Sequence, residues 1–195
     1  MDNNAKRALL FGAAVGGIFS LARRSAEKQK LTDDQLRSVN ELKDAFVQVE
    51  ALAKNLSLAP LYVSIKELEP KKKYQEIVAF LEQEIQKDAA NLGSVKQFKT
   101  KLQYVLSGRF SEQRNNPKTH EMQNFFSKFK ELPELLVSII EKRTQVVRLL
   151  QRSFRYIEAG DSSDLRPEDK VLLQESVSEF NALNVQVETL LQDFK

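Results

Sequence analysis

The sequence predicts an all-α protein, an antiparallel helical bundle of five or six helices preceded by a short hydrophobic N-terminal helix. Three observations carry that expectation. Apolar residues recur at alternating three- and four-residue steps over most of the chain beyond residue 31. Glycine and proline number only 6 and 5 in 195 residues, too few for a turn-rich β architecture. The one short run with strand character, Leu61-Tyr62-Val63-Ser64-Ile65, has no second strand candidate to pair with. The domain reading is residues 1–30 as a hydrophobic anchor or docking helix with basic flanks, and 31–195 as the bundle domain.

The first bundle helix opens at Thr32-Asp33-Asp34-Gln35, which has the form of a capping box, with two acids at the positive end of the helix dipole. Val39, Leu42, Phe46, Val49, Ala53 and Leu56 then make a single stripe, ending near Asn55–Ser57. Residues 58–69 read as an extended or helical connector, because Pro60 lacks an N–H and restricts Ala59. Pro70 suits a helix start, and Tyr74, Ile77, Val78, Leu81, Ile85, Ala89 and Leu92 form the inward face of a helix closed by Gly93. Ser94 is then the cap of another helix, with Val95, Phe98, Leu102, Val105 and Leu106 inward and Gly108 at its end. Residues 109–118 are a polar loop with Asn115-Asn116-Pro117 turn chemistry.

Thr119 begins a short helix carrying Met122, Phe125, Phe126 and Phe129, and Pro133 either interrupts it or starts the next one. Leu136, Ile140, Val147, Leu150, Phe154 and Ile157 continue at helical spacing to about Glu158. Gly160-Asp161-Ser162-Ser163-Asp164 is a loop, and Pro167-Glu168-Asp169 opens the last helix on favourable acids. Its apolar residues, among them Leu172, Leu173, Val177, Phe180, Leu183, Val187, Leu190 and Leu191, cover nearly half its circumference. That is wider than a coiled-coil seam and fits a bundle interior or a partner helix.

Composition excludes several kinds of chemistry. With no cysteine there are no disulfides, thiol nucleophiles or Cys-ligated metals, and one histidine cannot make a multi-His site. His120 stands in a Lys-flanked polar junction without a positioned partner, and carboxylate pairs such as Glu82/Glu84 have the spacing of a solvated face. No phosphate loop, dinucleotide fingerprint or Glu-x-x-His motif occurs, so neither a catalytic residue nor a cofactor or metal site is expected. Arg143 falls in line with Ile140 and Val147 on an apolar face; the sequence offers it either a carboxylate on another helix or a snorkelling position at the stripe's edge. Asn184 lies beside the last stripe.

The net charge of +3 hides alternating blocks, +4 over residues 1–30, −3 over 31–70, +6 over 71–130 and −4 over 131–195. The +6 block contains the basic patch Lys71, Lys72, Lys73, Lys96, Lys99 and Lys101. It suits phosphates, anionic lipid or an acidic partner, and equally a solvated face answered by the acidic blocks.

The N-terminal segment is the most informative part. Ala8 to Ala22 is a stretch of 15 uncharged, mostly apolar residues between Lys6-Arg7 and Arg23-Arg24. As a helix it spans roughly 22 Å, short of the roughly 30 Å hydrocarbon core unless the basic flanks snorkel or the bilayer thins. Gly12, Ala13, Gly16, Gly17 and Ser20 fall on one arc, and Phe11, Ile18 and Phe19 on the other. Small residues at that spacing allow close helix approach, whereas glycines in a helix in water cost about 1 kcal/mol each against alanine. A membrane anchor, a helix docked in another subunit and a cleaved targeting segment all fit, in that order of preference.

The functional expectation is a non-catalytic structural subunit of a larger assembly, tethered by its N-terminal helix. The expected setting is a membrane-associated complex or a minor capsid or cement role in a membrane-containing virion, with other protein subunits as partners and no small-molecule substrate. Phe125, Phe126 and Phe129 are a candidate partner contact, with the core as the alternative. The other functional class is a soluble nucleic-acid-binding module using residues 71–118.

Overall fold

The structure, a computed structural model, describes residues 32–107, 117–161 and 165–192. Among these residues the chain is all-α, with no strand. The helices are α1 (Asp33–Asn55), α2 (Ala59–Leu68), α3 (Tyr74–Leu106), α4 (Pro117–Ser127), α5 (Leu132–Glu158) and α6 (Pro167–Gln192), with a 3-10 turn at Glu69–Lys71. The hydrophobic helix expected over residues 8–22 lies outside the described residues.

The chain forms two compact units. Of the described residues, one comprises 32–55, 93–107, 117–136 and 186–192, the other 56–92, 137–161 and 165–185. Helices α3, α5 and α6 contribute residues to both.

The first unit is organised by α1. Its capping box forms as the sequence specifies: the Thr32 N–H donates to Gln35 Oε1 at 3.1 Å, and the Gln35 N–H to Thr32 Oγ1 at 3.3 Å. The stripe Val39, Leu42, Phe46, Val49 and Ala53 is buried throughout. Phe46 meets Phe98 of α3 and Phe129 edge-to-face, with centroids 5.4 and 5.0 Å apart, an arrangement the ring quadrupoles favour. At the end of α3, Gln123 Nε2 donates to the carbonyls of Val105 and Ser107, both at 3.2 Å, supplying partners for carbonyls that a helix C-terminus leaves open.

In the second unit the connector takes the helical of its two expected forms, as α2. Pro60 sits in its first turn, where its missing N–H costs nothing, and Leu61 and Ile65 turn inward. Lys72, in the left-handed region at φ 54°, ends the 3-10 turn. Four contacts run α3 against α5 in opposite directions, from Tyr74 on Phe154 through Glu82 on Gln151 to Glu84 and Asp88 on Arg143. Helix α6 returns antiparallel to α5, through Lys142 with Glu179 and Arg152 with Asp169.

Two local expectations are corrected and one open alternative is resolved. Gly93 and Ser94 do not separate two helices; α3 is continuous over 33 residues, because no proline interrupts it and apolar positions on either side of Gly93 stay in phase. Pro133 starts α5 rather than interrupting a helix. The third concerns which face of α3 is buried, and it shapes the candidate site.

Candidate functional site

Residues three and four apart share a helix face, so Ile77, Leu81, Glu84, Asp88, Val95, Phe98, Leu102 and Val105 form one line along α3. All of them are buried. Two are carboxylates, so Glu84 does not lie on a solvated face as its pairing with Glu82 implied. Ile85, Ala89 and Leu92 were expected inward. They lie about 100° round from Glu84 and Asp88 and are half-buried or exposed.

The inward carboxylates are held by Arg143, which the apolar stripe of α5 carries into the core. Its Nη1 donates to Asp88 Oδ1 and its Nη2 to Glu84 Oε2, both at 2.5 Å. One guanidinium thus bridges two carboxylates spaced one turn apart, a match to its planar fork. Lys87 Nζ donates to Glu84 Oε1 at 2.5 Å, and Thr144 Oγ1 lies 3.2 Å from Asp88 Oδ2 and 2.9 Å from the Ile140 carbonyl. Arg143 Nε is buried without a hydrogen-bond partner among the described residues.

Burial pushes the Asp88 carboxyl above its ordinary range, and the Arg143 charge only partly offsets that. Burial acts on Glu84 in the same direction, but its hydrogen bonds to Lys87 and Arg143 prevail and hold its carboxyl low. The two carboxylates therefore respond oppositely to acid. Elsewhere in this unit Gln151 Nε2 donates to Glu82 Oε2 at 2.7 Å, Arg152 pairs with buried Asp169, and the Arg166 guanidinium lies 3.7 Å above the Tyr156 ring.

Beside this cluster the displaced apolar residues of α3 make a groove of about 500 Å³ with α5. Ile85, Ala89 and Leu92 form one wall and Ile140, Thr144 and Leu149 the other, with Glu141, Gln145, Arg148 and Arg152 along its rim. Most of its exposed lining is carbon, and the buried Asp88 reaches it already engaged by Arg143. The arrangement suits packing against another apolar surface. Both Asp88 carboxylate oxygens are engaged, Oδ1 by Arg143 and Oδ2 by the Thr144 hydroxyl. A second groove of about 580 Å³ lies in the other unit between Lys99–Ser107 and Lys130–Leu135, over Leu102, Leu106 and Pro133.

The remaining candidates are placed as follows. Phe126 and Phe129 are buried in the core of the first unit, which corrects their reading as a partner contact; only half-buried Phe125, edge-to-face with both, is within reach of a neighbour. Lys71, Lys72 and Lys73 are exposed in the second unit, where Lys73 pairs with Glu76 at 2.7 Å. Lys96, Lys99 and Lys101 belong to the first unit, and Lys99 pairs with Glu134 at 3.0 Å. Gly12, Ala13, Gly16, Gly17, Ser20, Phe11, Ile18 and Phe19 lie outside the described residues. Among the described residues no helix is long and apolar enough to cross a membrane, and no three metal-ligating side chains come together.

The sequence missed Glu84 and Asp88, yet it held a signal for them. Both lie in phase with Ile77, Leu81, Val95 and Phe98, and a carboxylate in an apolar line facing an arginine in another is a pairing signature. No protein family matches the chain, and neither a curated protein nor a solved structure is similar to it.

Proposed function

We propose that the chain is a non-catalytic structural subunit of a larger assembly, tethered through its N-terminal apolar segment and presenting helix faces to neighbouring subunits. The observation that carries this reading is the rotated polarity of α3. Its carboxylates point inward into ion pairs between helices, while Ile85, Ala89 and Leu92 stand at the surface as the wall of an apolar groove. Apolar side chains left at a surface and rimmed by polar ones mark interaction sites. Val63, Val171 and Val185 add to this, each more than half exposed on its helix.

The tether rests on the composition of residues 8–22, whose glycine arc needs lipid or a protein groove to hold a helix. A membrane complex and the inner face of a membrane-containing virion both provide such a setting. The test is flotation with vesicles and carbonate extraction of the full chain against a chain beginning at Ser25. The full chain is expected to float and to resist extraction, and the shortened one to stay in solution. If both stay in solution as free monomers, the tethered-subunit reading is wrong.

A second reading, a nucleic-acid-binding module, draws on exposed Lys71 and Lys72, for which no ion pair with a described residue is found. Against it, Lys73 and Lys99 are partly neutralised by Glu76 and Glu134.

A further inference from the structure

The geometry points to a second copy of this chain as the occupant of the α3–α5 groove, packed across a two-fold axis that passes between Thr144 and Gln145. This deepens the assembly reading by naming one partner, and it rests on the groove being an interaction surface.

The argument starts from charge. In the second unit's part of α5, Lys142 pairs with Glu179, Arg143 with Glu84 and Asp88, Arg152 with Asp169, and Arg155 approaches Glu82 at 3.9 Å. Glu141 and Arg148, on the groove rim, have no ion pair with a described residue. They are seven residues apart, two turns along one edge of the helix, and opposite in sign.

An isologous contact requires a surface complementary to itself, so that residue i meets j and j meets i. Two antiparallel α5 helices related by an axis between residues 144 and 145 put Glu141 opposite the second copy's Arg148, and Arg148 opposite its Glu141. The same axis brings Thr144 level with Gln145, while Ile140 and Leu149 stay buried within each copy and contribute only to the groove lining. Every one of these residues lines the groove.

The polar centre is complementary too. Gln145 Oε1 accepts from Lys142 Nζ at 3.2 Å, which leaves its amide N–H groups to donate to the Thr144 hydroxyl across the axis. Ala89 is the small residue of the α3 wall, and small side chains permit close helix approach. The contact covers about three turns of helix, so the dimer belongs to the weak, concentration-dependent class of interfaces.

The test is sedimentation equilibrium of the full chain in nonionic detergent, with the variants Glu141→Arg, Arg148→Glu and the double exchange. Each single change turns two symmetry-related attractions into two repulsions and is expected to weaken dimerisation by about tenfold or more. The double exchange restores both pairs with reversed sign and is expected to return the dimer to near wild-type strength. All the changed side chains are exposed, and unchanged circular dichroism confirms that the variants fold. Because the chain has no cysteine, Gln145→Cys places a single thiol beside the axis. It is expected to give a disulfide-linked dimer under mild oxidation, whereas Val63→Cys, on the α2 surface, is not.

A full chain that stays monomeric at all concentrations overturns the proposal, as do single exchanges without effect or a double exchange no better than the singles. A monomer that still floats with vesicles removes the two-fold contact and leaves the tethered-subunit reading standing. A dimer that does not float does the reverse.

Discussion

Replacing Arg143 with methionine tests what the buried cluster contributes to stability. The residue is 4% exposed, and its partners Asp88 and Glu84 are 1% and 8% exposed. Methionine fills much of the volume but removes the one cation that reaches both carboxylates, leaving Lys87 on Glu84 alone. Removing one partner of a buried pair costs about 3–5 kcal/mol, because the stranded charge keeps its desolvation penalty. Against a total stability of about 5–15 kcal/mol, that loss is easily read in urea denaturation followed by circular dichroism.

The pH dependence gives a second handle. The folded-state pKa of Asp88 is already raised, and without Arg143 only the Thr144 hydrogen bond still opposes burial, so it rises further. A carboxyl whose pKa is higher folded than unfolded destabilises the protein when ionised. That penalty is relieved as pH falls through the folded pKa towards the unfolded one. The variant is therefore expected to regain part of its loss as pH falls through the raised folded pKa of Asp88. In the wild type, Glu84 has the opposite sign: its lowered pKa stabilises the fold above the unfolded value, and that contribution is lost as pH falls through the folded pKa. The triple change Glu84→Gln/Asp88→Asn/Arg143→Met removes all three charges and is expected to be markedly more stable than Arg143→Met at neutral pH. A loss below about 1 kcal/mol, or one unchanged on acidification, would refute a structural role for the cluster.

Gly93→Ala is expected to stabilise the protein by about 1 kcal/mol, since Gly93 is interior to α3 and an added Cβ meets nothing within 4 Å. In calorimetry that corresponds to a rise in Tm of about 2–4 °C, and a fall would mean that α3 bends or breaks at this point. Phe98→Ala empties a fully buried ring site edge-to-face with Phe46 and is expected to lower the urea-derived stability by about 3–5 kcal/mol; a cost under about 1 kcal/mol would contradict the packing. On the structural-subunit reading, affinity for a labelled DNA duplex is expected to be weak at physiological salt and insensitive to Lys71→Gln/Lys72→Gln. Tight binding that falls by about 10³–10⁵-fold between roughly 50 and 200 mM salt would favour the nucleic-acid reading.

What the sequence determined on its own is local. The capping box at Thr32 and Gln35 involves groups three residues apart, so their hydrogen bonds follow from spacing alone. The stripe of α1 is apolar with no competing polar residue in phase, and its burial follows from the helical period. The position of Arg143 within an apolar stripe narrowed it to a carboxylate on another helix or a snorkelling edge position, and the fold chose the first.

Tertiary structure decided which face of α3 turns inward, because two candidate lines lie about 100° apart on that helix. One is apolar through Ile85, Ala89 and Leu92; the other is interrupted by Glu84 and Asp88. Hydropathy alone selects the first, and the distant guanidinium of Arg143, 55 residues beyond Asp88, selects the second. The same long-range pairing left Ile85, Ala89 and Leu92 at the surface and so created the groove. Its existence depends on an interaction between helices that no window along the chain contains.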